Sequence, residues 1–220
     1  MKGKTVLITA GPTREPIDAV RYISNRSSGK MGYSLARLAR DNGAKVILIS
    51  GPSSLKPPQG LKFIKIETSY QMVKAILKNI RKADILIMAA AISDFTPIKK
   101  IKGKIRRTPS SLTLKLKPTP DILKLISRKR ALLKKGLIKV GFAAETSSLI
   151  SRANKKLRDK NLDAIIANDI SRRDIGFEND YNQVYIIKKD GGMVRTGRLK
   201  KERIAQKIYE VILDKKALRW

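Results

Sequence analysis

The sequence predicts an α/β domain: a mostly parallel sheet with helices on both faces, plus a flap in mid-chain and a late hairpin. Three runs rich in Val, Ile and Leu carry that reading: TVLITA at 5–10, AKVILIS at 44–50 and DILIMAAA at 84–91. They alternate with segments of helical periodicity. Unbroken apolar strands of this kind occur where both faces of a parallel sheet are covered; a one-sided sheet would alternate apolar and polar residues. The 220-residue chain is long enough to bury one sizeable core, and it shows no internal repeat and no long linker. A single domain over 1–220 is therefore expected.

The elements follow in order. The first strand covers 5–10. A helix over 28–42 places Met31, Leu35, Leu38 and Ala39 at helical spacing and stops at Gly43. The second strand, 44–50, is closed by Gly51-Pro52, and a third covers 61–66. A helix over 68–82 gathers Met72, Val73, Ile76, Leu77 and Ile80 on one face, and the fourth strand covers 84–91. The rhythm then breaks. Residues 97–111 are basic and polar, with Ile98, Ile101 and Ile105 as their large apolar groups, and read as a mobile loop within a flap at about 95–118. Residues 112–117 alternate apolar with polar, the pattern of a half-exposed strand. A helix at 120–133, a strand at 137–144, a helix at 147–160 and a strand at 163–168 restore the alternation. Residues 183–189 and 193–196 flank Asp190-Gly191-Gly192 as a hairpin, and a helix over 200–213 closes the chain.

Composition narrows the chemistry. There is no cysteine and no histidine, so disulfides, thiolates, imidazole bases and the usual zinc ligands are excluded. Catalysis is left to Lys, Arg, Asp, Glu, Asn, backbone amides or a hard metal ion. Lys and Arg number 49 against 18 Asp and Glu, a net charge of +31. Such a field attracts polyanions, either nucleic acid or phosphorylated small molecules, but lysines scattered over solvated faces produce the same sum. The longest apolar run, 85–92, falls far short of the about 20 residues that span a membrane. Met-Lys-Gly-Lys leads straight into a strand, where no secretory signal fits, so a cytoplasmic location is expected.

In a parallel α/β sheet, ligands bind beyond the carboxyl ends of the strands. Four such places carry suitable residues. After the first strand comes Gly11-Pro12-Thr13-Arg14-Glu15-Pro16, which lacks the Gly-x-Gly-x-x-Gly dinucleotide fingerprint. Ser27, Ser28 and Gly29 open the following helix and offer amides and hydroxyls to an anion; Arg21, Asn25 and Lys30 crowd the same turn, although a plain N-cap reads the same way. The run Ala89-Ala90-Ala91-Ile92-Ser93-Asp94 ends the fourth strand with small residues that admit a ligand. Asp94 there is suited to a sugar, a base or Mg²⁺. Phe142 ends a later strand, as a stacking platform or an ordinary core aromatic. Lys156 and Lys160, four apart on a helix, put two ammonium groups on one face, to grip a triphosphate or simply to be solvated.

Taken together these blocks resemble one family. The opening Ile8-Thr9-Ala10-Gly11-Pro12-Thr13-Arg14-Glu15-Pro16, with Arg21-Tyr22-Ile23-Ser24-Asn25 and Ser27-Ser28-Gly29-Lys30-Met31-Gly32, is similar to that of bacterial phosphopantothenate–cysteine ligase, the phosphopantothenoylcysteine synthetase domain. Later blocks follow in that family's order: Ala90 to Phe95, Pro120 to Leu123, Gly141 to Thr146, Lys160 to Asp163, and Ala167-Asn168-Asp169. The likeness covers about residues 4–215. It implies a Rossmann-like fold, a homodimer, and an enzyme of coenzyme A biosynthesis that joins 4'-phosphopantothenate to L-cysteine through an acyl-cytidylate, with CTP as co-substrate and Mg²⁺ as cofactor. Family members are often fused behind a flavin-dependent decarboxylase domain, and this chain resembles the stand-alone form.

The resemblance also implies roles. Asn25 corresponds to the asparagine acting on the acyl-cytidylate and Arg21 to the arginine near it. Gly11, Ser27, Ser28 and Gly29 fall in the substrate-binding opening. Ala89, Ala90, Asp94, Pro120, Asp121, Ile122, Leu123 and Phe142 match nucleotide-contacting positions, and Lys156 and Lys160 the phosphate-binding lysines. Mg²⁺ is expected to ride largely on the triphosphate, with Asp94 its candidate protein ligand. The family's flap carries Lys-x-Lys-Lys; the nearest fit is Lys104-Ile105-Arg106-Arg107, which makes Lys104 the catalytic candidate. Arginine replaces the later lysines, and Lys99, Lys100 and Lys102 lie in the same loop.

Two other classes compete. A short-chain-type NAD(P)-dependent reductase fits the βα alternation and has Tyr70-x-x-x-Lys74, but that pair falls on the helix before the fourth strand, too early for the role, and the glycine fingerprint is missing. A nucleic-acid-binding protein fits the charge, yet aromatics are only 5% and no aromatic-plus-basic RNA motif or zinc-finger spacing occurs. No dedicated nucleic-acid partner and no membrane partner are expected.

Overall fold

A computed structural model describes residues 1–107, 111–171 and 179–213. The first half contains β1 (Thr5–Ala10), β2 (Arg14–Pro16), β3 (Tyr22–Ser24), α1 (Lys30–Asp41), β4 (Lys45–Ser50), β5 (Lys62–Lys65), α2 (Ser69–Asn79), β6 (Ile85–Met88) and β7 (Phe95–Pro97). The second half contains β8 (Leu116–Pro118), α3 (Ile122–Arg128), β9 (Ile138–Glu145), α4 (Leu149–Asp159), β10 (Ala164–Asp169), β11 (Tyr181–Asn182), β12 (Val184–Lys188), β13 (Met193–Arg195), β14 (Leu199–Lys200) and α5 (Lys201–Ile212). Among the described residues the main sheet has eight strands in the order β13-β12-β10-β9-β6-β1-β4-β5. From β10 to β5 all pairings are parallel; β12 and β13 add the late hairpin antiparallel at one edge. This is the expected Rossmann-like arrangement.

The apolar runs settle into this sheet because successive side chains point to opposite faces. In β1, Val6, Ile8 and Ala10 face α1 and α5, meeting Leu35, Ala36, Ala39, Ile204 and Ile208. Leu7 faces the other way, toward Met72 and Ile76 of α2 and Ile122 and Ile126 of α3. The α4 helix covers the β9–β10 side through Ala153 and Leu157. Tyr209, fully buried on α5, donates its hydroxyl to the Leu35 carbonyl oxygen at 3.1 Å, which pins the two helices of one layer together. α2 starts with a capping box between Thr68 and Gln71, and buried Glu15 accepts from the Ser69 amide at 2.8 Å.

Several boundaries moved. The helix expected at 120–133 runs only from Ile122 to Arg128 before a 3-10 turn. The strand expected at 112–117 is only Leu116–Pro118, paired with β7 outside the main sheet. Leu112, Leu114 and Leu116 are exposed, so alternation there marks a surface arm whose apolar side meets no layer among the described residues. The loop before this arm is anchored on residues 17–21. Ile101 N donates to Ile17 O at 3.0 Å, Ala19 N to Gly103 O at 3.0 Å, and Ile105 N to Asp18 Oδ2 at 3.1 Å. Short β2 and β3, which have no long apolar run to announce them, form a hairpin beside the sheet. The helix long and apolar enough to cross a membrane does not occur among the described residues.

Asp84 ties the strand starts together, accepting from Thr5 N at 2.8 Å and from Lys134 Nζ at 2.6 Å. The Lys134 hydrogen bond, with the Thr5 amide, holds its carboxyl below the ordinary range. A lowered pKa stabilises the fold above the unfolded value and loses that contribution as pH falls through the folded value. Asp84→Asn should therefore cost roughly 1–2 kcal/mol in urea denaturation at pH 7. The difference from wild type should shrink below pH about 4. A penalty that persists undiminished in acid would show that packing, not charge, fixes this residue.

Candidate active site

Strand order reverses direction at β1, with β4 on one side and β6 on the other, and a crevice opens at such a switch point. The loops leaving β1 and β6 are stitched to each other across it. Ala91 N donates to Gly11 O at 3.0 Å, Thr13 N to Ala91 O at 3.1 Å, and Ser93 N to Thr13 Oγ1 at 3.0 Å. Beyond them lies a cavity of about 500 Å³ reached by Asn25, Ser27, Gly29, Ala89, Ala90, Asp94 and Phe142. A second cavity of about 490 Å³ takes its walls from Pro120 to Leu123 and from Lys160. The two share Ala90, Ile92, Asp94, Phe142 and Lys156, so they are neighbouring halves of one site.

Each half has its own chemistry. Where α1 begins, Gly29 takes φ +82° and no side chain caps the helix, so the positive end of α1 is turned to this half of the site. A Cβ at Gly29 would lie 3.1 Å from Gly11 N, so the loops can meet this closely only at glycine. In the other half, Asp121 caps α3 through Lys124 N at 3.0 Å and pairs with the Lys160 ammonium. Burial opposes ionisation of Asp121, but Lys160 and the Lys124 amide outweigh it and keep the carboxyl below its ordinary range. Lys156 donates to the Phe142 carbonyl oxygen at 2.9 Å. Burial pulls the Lys156 pKa down while the Glu145 and Asp94 carboxylates pull it up. A partly desolvated ammonium on the wall shared by the two cavities suits a phosphate better than it suits water.

The expected residues divide into three groups. Asn25, Ser27, Gly29, Ala89, Ala90, Asp94, Pro120, Asp121, Ile122, Leu123, Phe142, Lys156 and Lys160 border the paired cavities. Ser28 faces an adjoining polar cleft with Asn25, Arg14 and Lys65. Gly11 lines neither cavity; at φ +69° it packs where a Cβ would stand 3.0 Å from Gly51 O, so its part is to let the β1 loop turn. Arg21 and Lys104 also lie outside both cavities, where the loop before the arm is anchored on residues 17–21 and the Arg21 guanidinium donates to Ile105 O at 2.8 Å. Tyr70 is exposed, with the Lys74 ammonium 4.7 Å from its ring centre. Sequence reasoning missed Asn168, Asn182 and Lys201, which reach the first cavity from β10, β11 and α5. A polar residue closing the buried strand AIIAND was the available signal for Asn168; Lys201 looked like any surface lysine.

A Rossmann-like sheet with adjoining cavities at its switch point, one lined by a helix start and the other by lysines, defines an α/β domain suited to anionic, phosphate-bearing ligands. The family described as DNA/pantothenate metabolism flavoprotein C-terminal domain matches residues 1–215, and this chain belongs to it. Coenzyme A biosynthesis bifunctional protein CoaBC of Bacillus subtilis is 50% identical over 192 residues, covering 87% of this chain and 46% of that protein. The chain spans about half the length of the curated relatives it matches. Among solved structures, the C-terminal domain of CoaBC aligns with TM-score 0.81 at 37% identity, covering 96% of this chain and 95% of that one. The DNA/pantothenate metabolism flavoprotein from Streptococcus pneumoniae aligns with TM-score 0.79 at 27% identity, covering 96% and 98%.

Proposed function

We propose that this chain joins 4'-phosphopantothenate to L-cysteine through an acyl-cytidylate, within coenzyme A biosynthesis. The observation carrying this reading is the wall of Ala90, Asp94, Phe142 and Lys156 common to both cavities, since an acid on one side and a nucleotide on the other would meet there. In the first half-reaction a carboxylate oxygen attacks the α-phosphorus of CTP and pyrophosphate leaves. In the second the cysteine amine attacks the acyl carbon, CMP leaves and a proton is released. A bare carboxylate would have to expel oxide; nucleotidylation supplies a competent leaving group. Both steps concentrate negative charge, so fixed donors and cations are the main source of acceleration.

In this reading Lys156 and Lys160 hold phosphates, Phe142 and the Pro120 to Leu123 turn bound the nucleotide, and the α1 amides and Asn25 serve the acid. The donor set fits Mg²⁺ carried mainly by the triphosphate. Asp94 is a hard oxygen ligand at the shared wall, and no group of three acidic side chains able to hold a metal occurs among the described residues. When bound, the ion would neutralise charge on the phosphates. A homodimer belongs to the same reading. Arg21 and Lys104 sit beside an arm with exposed Phe95, Ile98, Leu112 and Leu114, and a second copy packed there would cover this apolar surface and bring both cations to a site.

The test is pyrophosphate release with 4'-phosphopantothenate and each of CTP, ATP, GTP and UTP, with and without cysteine. CTP is expected to be fastest, with release in the first turnover independent of cysteine. No release with any nucleotide would sink the reading. Lys104→Ala should slow the first step about a hundredfold, the scale of losing one charge-stabilising donor. Undiminished release in that variant would move the role to a neighbouring flap lysine.

A further inference from the structure

The polar cleft beside the first cavity, about 680 Å³, has no task in the reading above, where the acid and the nucleotide fill the paired cavities. It opens on the reacting centre, because Asn25, Arg26 and Ser27 border both the cleft and the first cavity. Arg14, Arg26 and Lys65 line it, and no carboxylate does so among the described residues. Three cations therefore face one space.

Arg14 is the member of the three that the fold holds in place. It stands in β2 directly across from Ser24 of β3, the residue before Asn25. Its backbone amide donates to Glu67 O at 2.8 Å, and its guanidinium lies over the Tyr22 ring, 4.4 Å from the ring centre. Stacking orients the guanidinium plane without using its N–H donors. Among the described residues that guanidinium has no carboxylate and no carbonyl partner. A planar fork with five donors unspent matches a carboxylate, which takes two parallel hydrogen bonds from it.

The second half-reaction brings in such a group. Cysteine carries its carboxylate one carbon away from the amine that attacks. A carboxylate seated on Arg14 leaves that amine on the Asn25 side, toward the first cavity and the acyl carbon. The cations act on the amine as well: among positive charges, with no acidic side chain lining the cleft, an ammonium gives up its proton more readily, and only the free amine is a nucleophile. We propose that this cleft is the cysteine subsite, with the Arg14 guanidinium binding the α-carboxylate. The inference rests on the ligase reading and adds to it the place from which the second substrate approaches.

The probes are cysteine and cysteamine, which keeps the amine and the thiol but lacks the carboxylate. Wild type, Arg14→Met and Arg14→Lys are each loaded with 4'-phosphopantothenate and CTP, and amide formation is then followed against the concentration of either amine. The pyrophosphate burst before amine addition is read separately. Wild type should reach half-saturation at a lower concentration of cysteine than of cysteamine. Arg14→Met should raise that concentration for cysteine about thirtyfold, the effect of losing a charge-assisted pair, and leave cysteamine where it was. Arg14→Lys, which keeps a charge but not the fork, should fall between the two, and it provides the measurement if Arg14→Met does not fold. Unchanged use of cysteine in both variants, equal loss of cysteine and cysteamine, or a wild type indifferent to the carboxylate would overturn the subsite alone. So would a diminished burst in the variants, which would place Arg14 in the first step. A wild type without a pyrophosphate burst would remove the ligase reading together with it.

Discussion

Asn25→Ala is expected to leave a stranded intermediate. The variant should release pyrophosphate once per site at close to the wild-type rate, accumulate the acyl-nucleotide, and form the cysteine product about a hundred- to a thousandfold more slowly, the range for removing one donor that stabilises developing charge. The residue is well placed for a clean result. It follows β3, borders the first cavity and the adjoining polar cleft, and is exposed. Exposed substitutions of this kind change stability by about 0.5 kcal/mol or less, so a kinetic defect will not be confused with unfolding. Rapid-quench analysis with labelled CTP separates the half-reactions. Loss of the pyrophosphate burst, or of CTP binding, would show that Asn25 belongs to the nucleotide half and that its assignment to the second step is wrong.

The second large effect is on the fold that holds these loops. Gly51→Ala should destabilise the protein by roughly 3 kcal/mol, the upper range for overpacking a tight site. A Cβ at Gly51 would stand 1.7 Å from the Pro12 carbonyl oxygen and 2.8 Å from its carbon. Both are backbone atoms, so no side chain can swing aside. Pro12 in turn bridges to Ala91, and Gly51 N donates to Ala10 O at 3.0 Å. Relief by moving the β1 loop would therefore disturb the wall of the site as well. For a chain of this size the expected fall in Tm is roughly 6–12 °C. Gly197→Ala is the control: nothing lies within 4 Å of its added Cβ, and its stability should match wild type. A Gly51→Ala protein that melts with wild type would mean that the β4 loop and the β1 loop are not in contact in solution.

Much of the scaffold was readable from residue order. The runs that became β1, β4 and β6 are apolar on consecutive positions, and only a sheet covered on both faces satisfies that pattern. The faces of α1 and α2 were visible as periodic apolar positions, and Asp190-Gly191-Gly192 announced the late hairpin, where Gly191 adopts φ +92°. The motif residues at the strand ends were legible for a similar reason: polar or small residues closing an apolar strand stand out against their neighbours.

What escaped depended on contacts between distant segments. The β2–β3 hairpin is three residues a side; its place is set by Arg14 N donating to Glu67 O at 2.8 Å and Ser24 Oγ to Thr13 O at 2.8 Å, bonds that no local pattern encodes. Residues 112–117 alternate like a strand against a core, yet the described chain offers no layer to receive their apolar side. Lys201 shows the limit most sharply, because its sequence surroundings are those of a solvated lysine. The sequence by itself determined the parallel sheet, its helical layers and the strand ends that carry polar groups, since burial periodicity is a local property. Only the tertiary structure decided that β6 lies beside β1, that two cavities share Asp94, Phe142 and Lys156, and that Lys201 is drawn inside. Those facts depend on which segments become neighbours, and that choice is made by the packing of the whole chain.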